Sequence, residues 1–592
     1  MEKQRTLLGK RGFKLNFAAL LSILALLVIS YCVTNANAND DVSALEHPFD
    51  VSDFFSDAED ASTIKKNGAK SGKKNIIMMV TDGTGPSSFN MARSYKQHVQ
   101  NLAYNETLTI EKYLIGQSRT RSSSSLITDS AAGATAFSCG LKSYNGAIGV
   151  DEFQNPCGTI LEALKLKGYK TGMVVTTSVV DATPAAFSSH ADYRNMLDLI
   201  ANQQLGLNNT FGKPMVDLMI GGGRCSFLPS SAGTESCRND QMDLVQYAKD
   251  HGYTVSLNRE EFDLLQLGKN DTVQLPVLSL LAYYNIPYEI DRNEQKFPSL
   301  LEETKTALNL LSKATEDSDE GFFLLVEGSR IDHAGHHNDA HAQVREVLAY
   351  DEAFAEVIRF AEESDVETFI ISTSDHETGG VDIGRQIDVE YPDYVWYPDV
   401  LARAKHSGEY LNYKIDEYLK SIKEEINKNK EDCVLSGKGR MEKLKKFLKH
   451  EILEKDLGIS DYEEDEVKLI MKLLFKSSGD ENDASLAVVE ELCADSDVAI
   501  EEVSPASIVI EFLKDMVSKR ARIGWSTHGH TAADVNIFGY SNSDSGMLEL
   551  VRSLGGSREN TDIGAFMERI AGVSLGAVTE LLGEQVHSPW SQ

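Results

Sequence analysis

The 592-residue chain has the composition of a globular protein, with 42% hydrophobic and 25% charged residues, which is enough for a sizeable core. Its formal net charge of -32 argues against a nucleic-acid-binding protein, which needs clustered Lys and Arg. An anionic substrate would therefore need local positive charge, from metal ions or a placed arginine, against the field of the whole chain.

The N-terminal residues predict a membrane anchor. Residues 1–14 carry several basic side chains and precede an uncharged, mostly apolar run over 15–33, which approaches the length of a membrane span. The positive-inside rule keeps the first segment cytoplasmic and sends the rest of the chain across, as in a type II membrane protein. The alternative is a cleaved signal peptide, because Ala36 and Ala38 offer a small-x-small cleavage site.

Either interpretation delivers the rest of the chain to an oxidising lumen or to the outside. The chain carries three N-glycosylation sequons, which begin at Asn105, Asn208 and Asn270. Six cysteines follow the apolar run, and an even number suits disulfides in that compartment. Cys225–Cys237 is the most plausible local pair and Cys433–Cys493 the next. The alternative for Cys139, in a small-residue segment, is a buried free thiol.

Residues 34–70 are polar and charged, which predicts a flexible stalk ahead of a folded domain over 71–592. In that domain, uniformly apolar runs alternate with helical patterns; the runs include NIIMMV, TGMVVTT, MVDLMIGGG, FFLLVE and TFIIST. Such runs predict an α/β fold, with a mostly parallel central sheet and helices on both faces. Ligands bind beyond the carboxyl ends of the strands in these sheets.

A change of composition between about residues 401 and 520 predicts a helical insertion in this domain. Apolar residues recur there at three- and four-residue spacing with dense charge between them, which is typical of amphipathic helices with solvated outer faces. An elaborated surface is the favoured interpretation, and a separate interaction subdomain is the alternative.

Carboxylates and histidines stand at the ends of several apolar runs. They are Asp82, Asp332, His336, Asp375, His376 and His530. Asp375 and His376 are adjacent at a strand end, where a turn can aim both at one ion. Asp332 and His336 share a face if their segment is helical. Carboxylate plus imidazole suits zinc, although manganese and cobalt accept the same ligands.

Two further oxygen donors lie near strand ends. Glu327 and Thr183 suit a harder, octahedral ion such as magnesium, with Asp82 bridging to the zinc ligands. Each feature alone also fits an ordinary surface pair or turn. Their common position at the ends of apolar strands favours a metal cluster.

Ser130 is the candidate nucleophile. A serine hydroxyl needs a base or a metal ion for activation, and because no GxSxG elbow is present, direct metal activation is the better interpretation. The small residues after Ser130 allow a helix to begin close to a bound anion. A serine that only caps this helix after Asp129 has the same geometry. Arg194, beyond the turn DATPAAF, is the candidate for bidentate phosphate recognition.

The sequence around these residues resembles alkaline phosphatases. The matching blocks are TDGTGPSS, TDSAAGATAFSCGLKSYNGAIGV, DATPAAF, GGGR, VEGSRIDHAGH, TSDHETGG and HGHTAADV, within residues 75–400 and 520–565. The N-terminal apolar run, the THGHTAADVNIFGY ending and the helical insertion are most similar to fungal vacuolar, signal-anchored members. The resemblance implies an alkaline-phosphatase-like α/β/α sandwich and a homodimer. It also implies hydrolysis of phosphate monoesters, with broad specificity, to alcohol and inorganic phosphate through a phosphoserine.

The resemblance further implies two zinc ions and one magnesium ion per subunit. Mapped by motif, the ligands of the first zinc are Asp332, His336 and His530. Those of the second zinc are Asp82, Asp375 and His376. Those of magnesium are Asp82, Thr183 and Glu327. The phosphorylated residue and the phosphate clamp are Ser130 and Arg194.

Two positions beside these motifs separate subfamilies of alkaline phosphatases. Bacterial members commonly have Asp before the Ala-Thr-Pro block and Lys after the zinc-binding Asp, whereas vertebrate members have His at both. This chain is mixed, with Asp181 and His333. Asp181 favours magnesium in the third site, and His333 leaves the charge at the phosphate-contacting position open.

Other interpretations stay open on the sequence alone. A related metal-dependent phosphodiesterase or mutase would share the fold, and a membrane-anchored ectodomain could bind phosphate or metal without turnover. No expected ligand is missing, which argues against the second. The resemblance favours the vacuole membrane with a lumenal catalytic domain, and the cell surface or secretion is the alternative.

Overall fold

The structure, a computed structural model, describes residues 72–428, 433–474 and 506–586. The predicted cytoplasmic tail, anchor and stalk lie outside these ranges. None of the helices within them combines the length and hydrophobicity of a membrane-crossing segment.

Ten strands form one large sheet. The strands of the described chain are β1 (Lys74–Val80), β2 (Leu114–Arg119), β3 (Lys170–Ser178), β4 (Leu218–Gly222), β5 (Thr254–Ser256), β6 (Val277–Leu280), β7 (Phe322–Glu327), β8 (Glu367–Thr373), β9 (Glu377–Thr378), β10 (Asp382–Ile383), β11 (Ile523–Gly524), β12 (His530–Thr531), β13 (Val535–Ser541) and β14 (Gly556–Glu559). The sheet has the order β14-β2-β13-β8-β1-β7-β3-β4-β6-β5. Only β13 runs antiparallel to its neighbours among these paired strands, so the prediction of a mostly parallel sheet is confirmed.

Strand β1 shows why the apolar runs are uniform. Ile76, Met78 and Val80 point into one hydrophobic core. Ile77 and Met79 point into a second core on the opposite face. Because successive side chains of a strand alternate between faces, a strand covered on both sides must be apolar at every position.

Helices pack on both faces of the sheet. The α-helices of the described chain are α1 (Pro86–Gln100), α2 (Ser130–Cys139), α3 (Ile160–Lys167), α4 (Ala182–Ser188), α5 (Leu197–Gln204), α6 (Leu244–Asp250), α7 (Arg259–Asp263), α8 (Leu300–Ala314), α9 (Arg330–His336), α10 (Ala340–Glu363), α11 (Pro398–Arg403), α12 (Gly408–Lys428), α13 (Cys433–Phe447), α14 (Glu464–Leu474), α15 (Ala506–Ala521), α16 (Asp544–Leu554), α17 (Thr561–Ala571) and α18 (Leu575–Val586). Helices α2 to α6 and α16 to α18 contribute to the first core. Helices α1, α7, α8 and α10 contribute to the second.

Helices α11 to α15 lie in the segment where the sequence predicts an insertion. They enclose a third apolar cluster, to which Leu411, Ile415 and Leu513 contribute. The same cluster includes Met91 of α1 and Val344 of α10. These helices therefore pack directly against helices that cover the central sheet.

Two disulfides cross-link the described chain. Cys225–Cys237 is confirmed, with 4.9 Å between the Cα atoms. The interpretation of Cys139 as a free thiol is wrong, because it is bonded to Cys157 with a Cα separation of 5.9 Å. The intervening chain turns back through a bridge between Val150 and Pro156, a local fold that cysteine spacing does not reveal. Cys433–Cys493 stays a prediction, since residue 493 lies outside the described ranges.

Candidate active site

The site lies at the carboxyl edge of the sheet, where β8, β1, β7 and β3 end side by side. Asp82 follows β1, Glu327 ends β7, and Asp375 and His376 follow β8. Thr183 lies in α4, shortly after β3. Adjacent parallel strands thus bring residues from distant parts of the chain to one crevice, as predicted for this fold.

The first cluster contains Asp332, His336 and His530, whose candidate ligand atoms all lie within 4.8 Å of one another. Asp332 and His336 are one turn apart on α9, and the Nε2 atoms of His336 and His530 are 3.0 Å apart. The Nδ1 atoms of the two histidines face the carbonyl groups of His528 and Thr128, respectively. Donation from Nδ1 leaves an Nε2 lone pair directed at the centre of the cluster, which is the tautomer a metal ion requires.

The second cluster contains Asp82, Asp375 and His376, all buried and also within 4.8 Å of one another. His376 Nε2 lies 3.1 Å from Asp375 Oδ2 and 3.6 Å from Asp82 Oδ1. These two carboxylate oxygens are buried without a hydrogen-bond partner. Buried, unpaired carboxylate oxygens are costly unless a cation compensates their charge, so the donor set fits a metal ion.

A third group of oxygen donors adjoins Asp82. Thr183 Oγ1 and Glu327 Oε2 are buried and lack a hydrogen-bond partner. Burial, followed by the Asp375 carboxylate, raises the pKa of Asp82 well above its usual value. Burial, together with the nearby Asp181 carboxylate, raises the pKa of Glu327 to about 8. Both shifts reflect an excess of buried negative charge that a divalent cation would balance.

The neighbouring histidines have the opposite effect on the pKa values of Asp332 and Asp375. Burial opposes ionisation of Asp332 and Asp375, but the histidines beside them outweigh it and lower both pKa values. Burial and the neighbouring His376 lower the pKa of His530 to about 4. His530 is therefore neutral near pH 7, the form in which imidazole binds metal.

Ser130 faces the second cluster. Its Oγ lies 3.0 Å from His376 Nε2. It is the first residue of α2, which Asp129 caps by accepting the Ala132 N–H at 3.0 Å. The residue that caps the helix is therefore Asp129 and not Ser130, as the alternative interpretation held. The Ser130 hydroxyl faces the candidate metal ligands instead. The helix N-terminus favours negative charge at this point.

Arg194 lies beside the nucleophile and is held by two carboxylates. Its guanidinium lies 3.3 Å from Asp129 and 3.2 Å from Asp181. These charges, Asp181 first, outweigh burial and raise the arginine pKa. His333 of α9 is influenced by Asp181 and by its neighbours Arg330 and Asp332, and burial, followed by the charge of Arg330, lowers its pKa. The position that the sequence left open in charge is therefore a neutral imidazole near pH 7.

Comparison with known proteins decides the family. The family model described as alkaline phosphatase matches residues 73–573. The chain belongs to the alkaline phosphatase family. It is 49% identical to the repressible alkaline phosphatase of Saccharomyces cerevisiae over 534 residues, which covers 89% of this chain and 86% of that protein. It is 44% identical to the alkaline phosphatase of Schizosaccharomyces pombe, covering 88% and 85% of the two chains.

Solved alkaline phosphatases share the fold. The enzyme from Shewanella sp. matches with a TM-score of 0.62 at 26% identity, covering 84% of this chain and 99% of that one. The enzyme from Thermus thermophilus matches with a TM-score of 0.61 at 26% identity, covering 87% and 96%. The predicted alkaline-phosphatase-like fold and activity are thus confirmed: this alkaline phosphatase hydrolyses phosphate monoesters and has candidate metal-binding groups.

Sequence reasoning missed the residues that orient the ligands of this alkaline phosphatase. Thr378 Oγ1 donates to Asp332 at 2.6 Å and lies 3.1 Å from His376 Nδ1, so one hydroxyl joins the two candidate metal-binding clusters. Glu377 accepts from the Thr531 hydroxyl and so holds β9 against β12, next to His530. Both residues belong to the TSDHETGG block, but their role depends on contacts with distant segments.

Proposed function

We propose that phosphate monoester hydrolysis proceeds through a phosphoserine on Ser130, with two zinc ions and one magnesium ion bound per subunit. The proposed ligands of the first zinc are Asp332, His336 and His530. Those of the second zinc are Asp82, Asp375 and His376. Those of magnesium are Asp82, Thr183 and Glu327. This assignment is supported by buried oxygens that lack a hydrogen-bond partner, on Asp82, Asp375, Thr183 and Glu327.

In the proposed reaction the Ser130 oxygen attacks phosphorus in line, the bond from phosphorus to the alcohol oxygen breaks, and the departing alcohol carries away the equivalent of the proton that the serine hydroxyl loses. The phosphoserine that forms is then cleaved by water, which releases inorganic phosphate and regenerates the hydroxyl. Two divalent ions held by the two clusters would supply electrostatic stabilisation to the charge that develops in the reaction. The Arg194 guanidinium, held in place by Asp129 and Asp181, binds the equatorial oxygens of the phosphoryl group.

The observation that carries this proposal is the approach of Ser130 Oγ to His376 Nε2 within 3.0 Å, at a helix N-terminus. Ser130→Ala should abolish the phosphoenzyme trapped by acid quench from a radiolabelled aryl phosphate, and should lower turnover by several orders of magnitude. Ser123→Ala changes an exposed serine ahead of the same helix and is the matched control. A Ser130→Ala enzyme with near-normal turnover would disprove the assignment.

Metal identity has its own test. Dialysis against a chelator should remove activity, and zinc with magnesium should restore it, with two zinc ions and one magnesium ion per chain by elemental analysis. Asp181, which caps α4 and pairs with Arg194, supports magnesium in the third site. Full recovery with manganese or cobalt alone would overturn the proposed metal set. Turnover of the matching diester at the monoester rate would instead favour a phosphodiesterase.

We also propose that residues 1–14 are cytoplasmic, that residues 15–33 anchor the enzyme and that residues 34–70 form a stalk, with the catalytic domain in the vacuole lumen. The hydropathy and charge pattern supports the anchor, and the exposed sequon residues Asn105 and Asn208 support a glycosylated lumenal domain. Carbonate extraction and N-terminal sequencing should find the intact chain in the membrane. A soluble chain beginning near residue 39 would support the signal peptide instead.

The homodimer is proposed from family membership. Sedimentation equilibrium of the fragment after residue 60 should give twice the mass of that fragment, and a monomer that retains full activity would refute the proposed dimer.

A further inference from the structure

The short helix α9 carries two residues of the first cluster, Asp332 and His336. It has seven residues, and no side chain caps its N-terminus. A helix of this length is not stable by itself in water. The position of both candidate ligands therefore depends on the contacts that hold α9 in the fold.

Arg330, the first residue of α9, is held by the helical insertion. Its side chain is 2% exposed, and its guanidinium lies over the ring of Tyr288, 3.8 Å from the ring centre. One Nη group donates to the Ile286 carbonyl at 3.0 Å, and the other donates to the carboxylate of Glu409, the second residue of α12. Within the described ranges, Glu409 is the only carboxylate in an ion pair with Arg330. Loss of that charge would leave a buried cation without compensation.

The residue beside Glu409 binds the segment that follows α9. The backbone N–H of Asp339 donates to the carbonyl of Ala334 in α9 at 2.9 Å, and its side chain is buried. One carboxylate oxygen of Asp339 accepts the Ala342 N–H at 3.0 Å and so caps α10. The other accepts the N–H of Gly408, the first residue of α12, at 2.7 Å. The first two residues of α12 thus bind the start of α9 and the segment directly after it.

The start of α12 is itself fixed by the α/β fold. Asp291 accepts the Ser407 N–H at 3.2 Å, and its Oδ1 lies 2.9 Å from His406 Nδ1. His341 of α10 is buried, and its Nε2 lies 3.0 Å from the His406 carbonyl. From a further helix, α15, Lys514 donates to the carbonyl of the residue that follows α9. Because these contacts come from several separate elements, α12 and α9 are held in one relative position.

We propose that Glu409 is a positioning residue for the first cluster and that the helical insertion acts on this cluster through it. Glu409 is not a candidate ligand; it acts through Arg330 on the helix that carries two of the ligands. The inference rests on the proposed zinc at this cluster. The second cluster differs, because Asp82, Asp375 and His376 follow strands of the sheet and none of them lies on α9. Loss of the Glu409 contact should therefore weaken metal binding selectively at the first cluster.

Glu409→Gln tests the inference, because it keeps the size of the side chain and removes its charge. In chelator competition with the full chain, it should raise the zinc dissociation constant of the first cluster about 10-fold and leave that of the second within about twofold. The zinc that His530→Ala fails to bind identifies the first cluster. Glu417→Gln is the matched control, because Glu417 is an exposed acid of the same helix that pairs with Lys420, and it should leave both constants unchanged.

Hydrogen exchange followed by mass spectrometry gives a readout that does not need zinc. After treatment with a chelator, the α9 amides of Glu409→Gln should exchange about 10-fold faster than those of the wild type, because α9 opens more often when its first residue is not held. Glu417→Gln should exchange at the wild-type rate.

Wild-type zinc affinity in Glu409→Gln would refute the inference. An equal loss of affinity at both clusters would also refute it, since it would indicate a general loss of stability. If the wild type binds no zinc at the first cluster, the proposed metal set fails, and the exchange rate of the α9 amides then decides the positioning role. Should Glu409→Gln not fold, Glu409→Asp retains the charge on a shorter side chain and should weaken zinc binding at the first cluster at least about 3-fold; wild-type affinity of that variant would overturn the inference.

Discussion

Gly133 offers a sharp test of how the nucleophile helix and the metal ligands fit together. It lies in α2, and a Cβ atom built on it would stand 2.9 Å from the Cβ of Asp375 and 3.5 Å from its carbonyl oxygen. Carbon atoms pack at about 3.5–4.0 Å, so Gly133→Ala must push the two residues apart by roughly 0.6–1 Å. Asp375 is fully buried and cannot yield into solvent.

The expected cost falls on activity more than on stability. Alanine gains about 1 kcal/mol in helix propensity, which offsets part of the roughly 1–3 kcal/mol of overpacking. Displacing a candidate ligand by up to about 1 Å should lower kcat/KM by about 10–100-fold. Zinc affinity should fall in parallel, because Asp375 and His376 would no longer converge with Asp82.

The assay follows hydrolysis of an aryl phosphate at limiting and saturating zinc, with urea unfolding of the same preparations. Gly583→Ala is the matched control, since it also lies in a helix, α18, and its added Cβ would meet nothing within 4 Å. Excess zinc should recover part of the lost activity. Wild-type activity of Gly133→Ala at limiting zinc would refute this account of the packing.

Three further outcomes follow from the described contacts. Replacing Cys225 and Cys237 by serine removes a link across 12 residues, so urea unfolding should show a loss of about 3 kcal/mol; a loss below about 1 kcal/mol contradicts it. Glu162 lies 2.9 Å from His190 Nε2 and outweighs burial to raise the pKa of His190. The contribution of this pair to the free energy of unfolding should be complete below about pH 6.5 and should disappear as pH rises through the folded-state pKa of His190. In urea unfolding at a series of pH values, Glu162→Gln should reduce this pH dependence, and an unchanged dependence would contradict the prediction. Lys514 is buried and donates to the carbonyl that follows α9, so Lys514→Met should weaken zinc binding about 10-fold in chelator competition, while wild-type affinity would count against it.

Much of the fold could be predicted from local patterns. Uniform apolar runs indicate strands buried on both faces, because a strand with one wet face must alternate. The acidic and imidazole residues after those runs could be assigned to one edge of the sheet, because parallel strands all end there. The Cys225–Cys237 disulfide could also be predicted, because the two cysteines are only 12 residues apart in the sequence.

The remaining features depend on contacts between distant segments. Thr378 reaches both Asp332 and His376, and His530 meets His336 across a large sequence separation. Lys514 and Glu409 of the helices α15 and α12 bind the two ends of α9, although the local pattern of these helices indicates only amphipathic surface helices.

The strand pattern, the chemical types of the candidate ligands and their place after the strands can be inferred from local sequence, since they follow from burial and from the twofold or helical period of side chains. The three-dimensional packing is needed to show which ligands share a cluster, which hydroxyls orient them and which acids, such as Glu303, are buried without a hydrogen-bond partner. Those relations are set by strand order and by long-range packing, which leave no periodic signal in the chain.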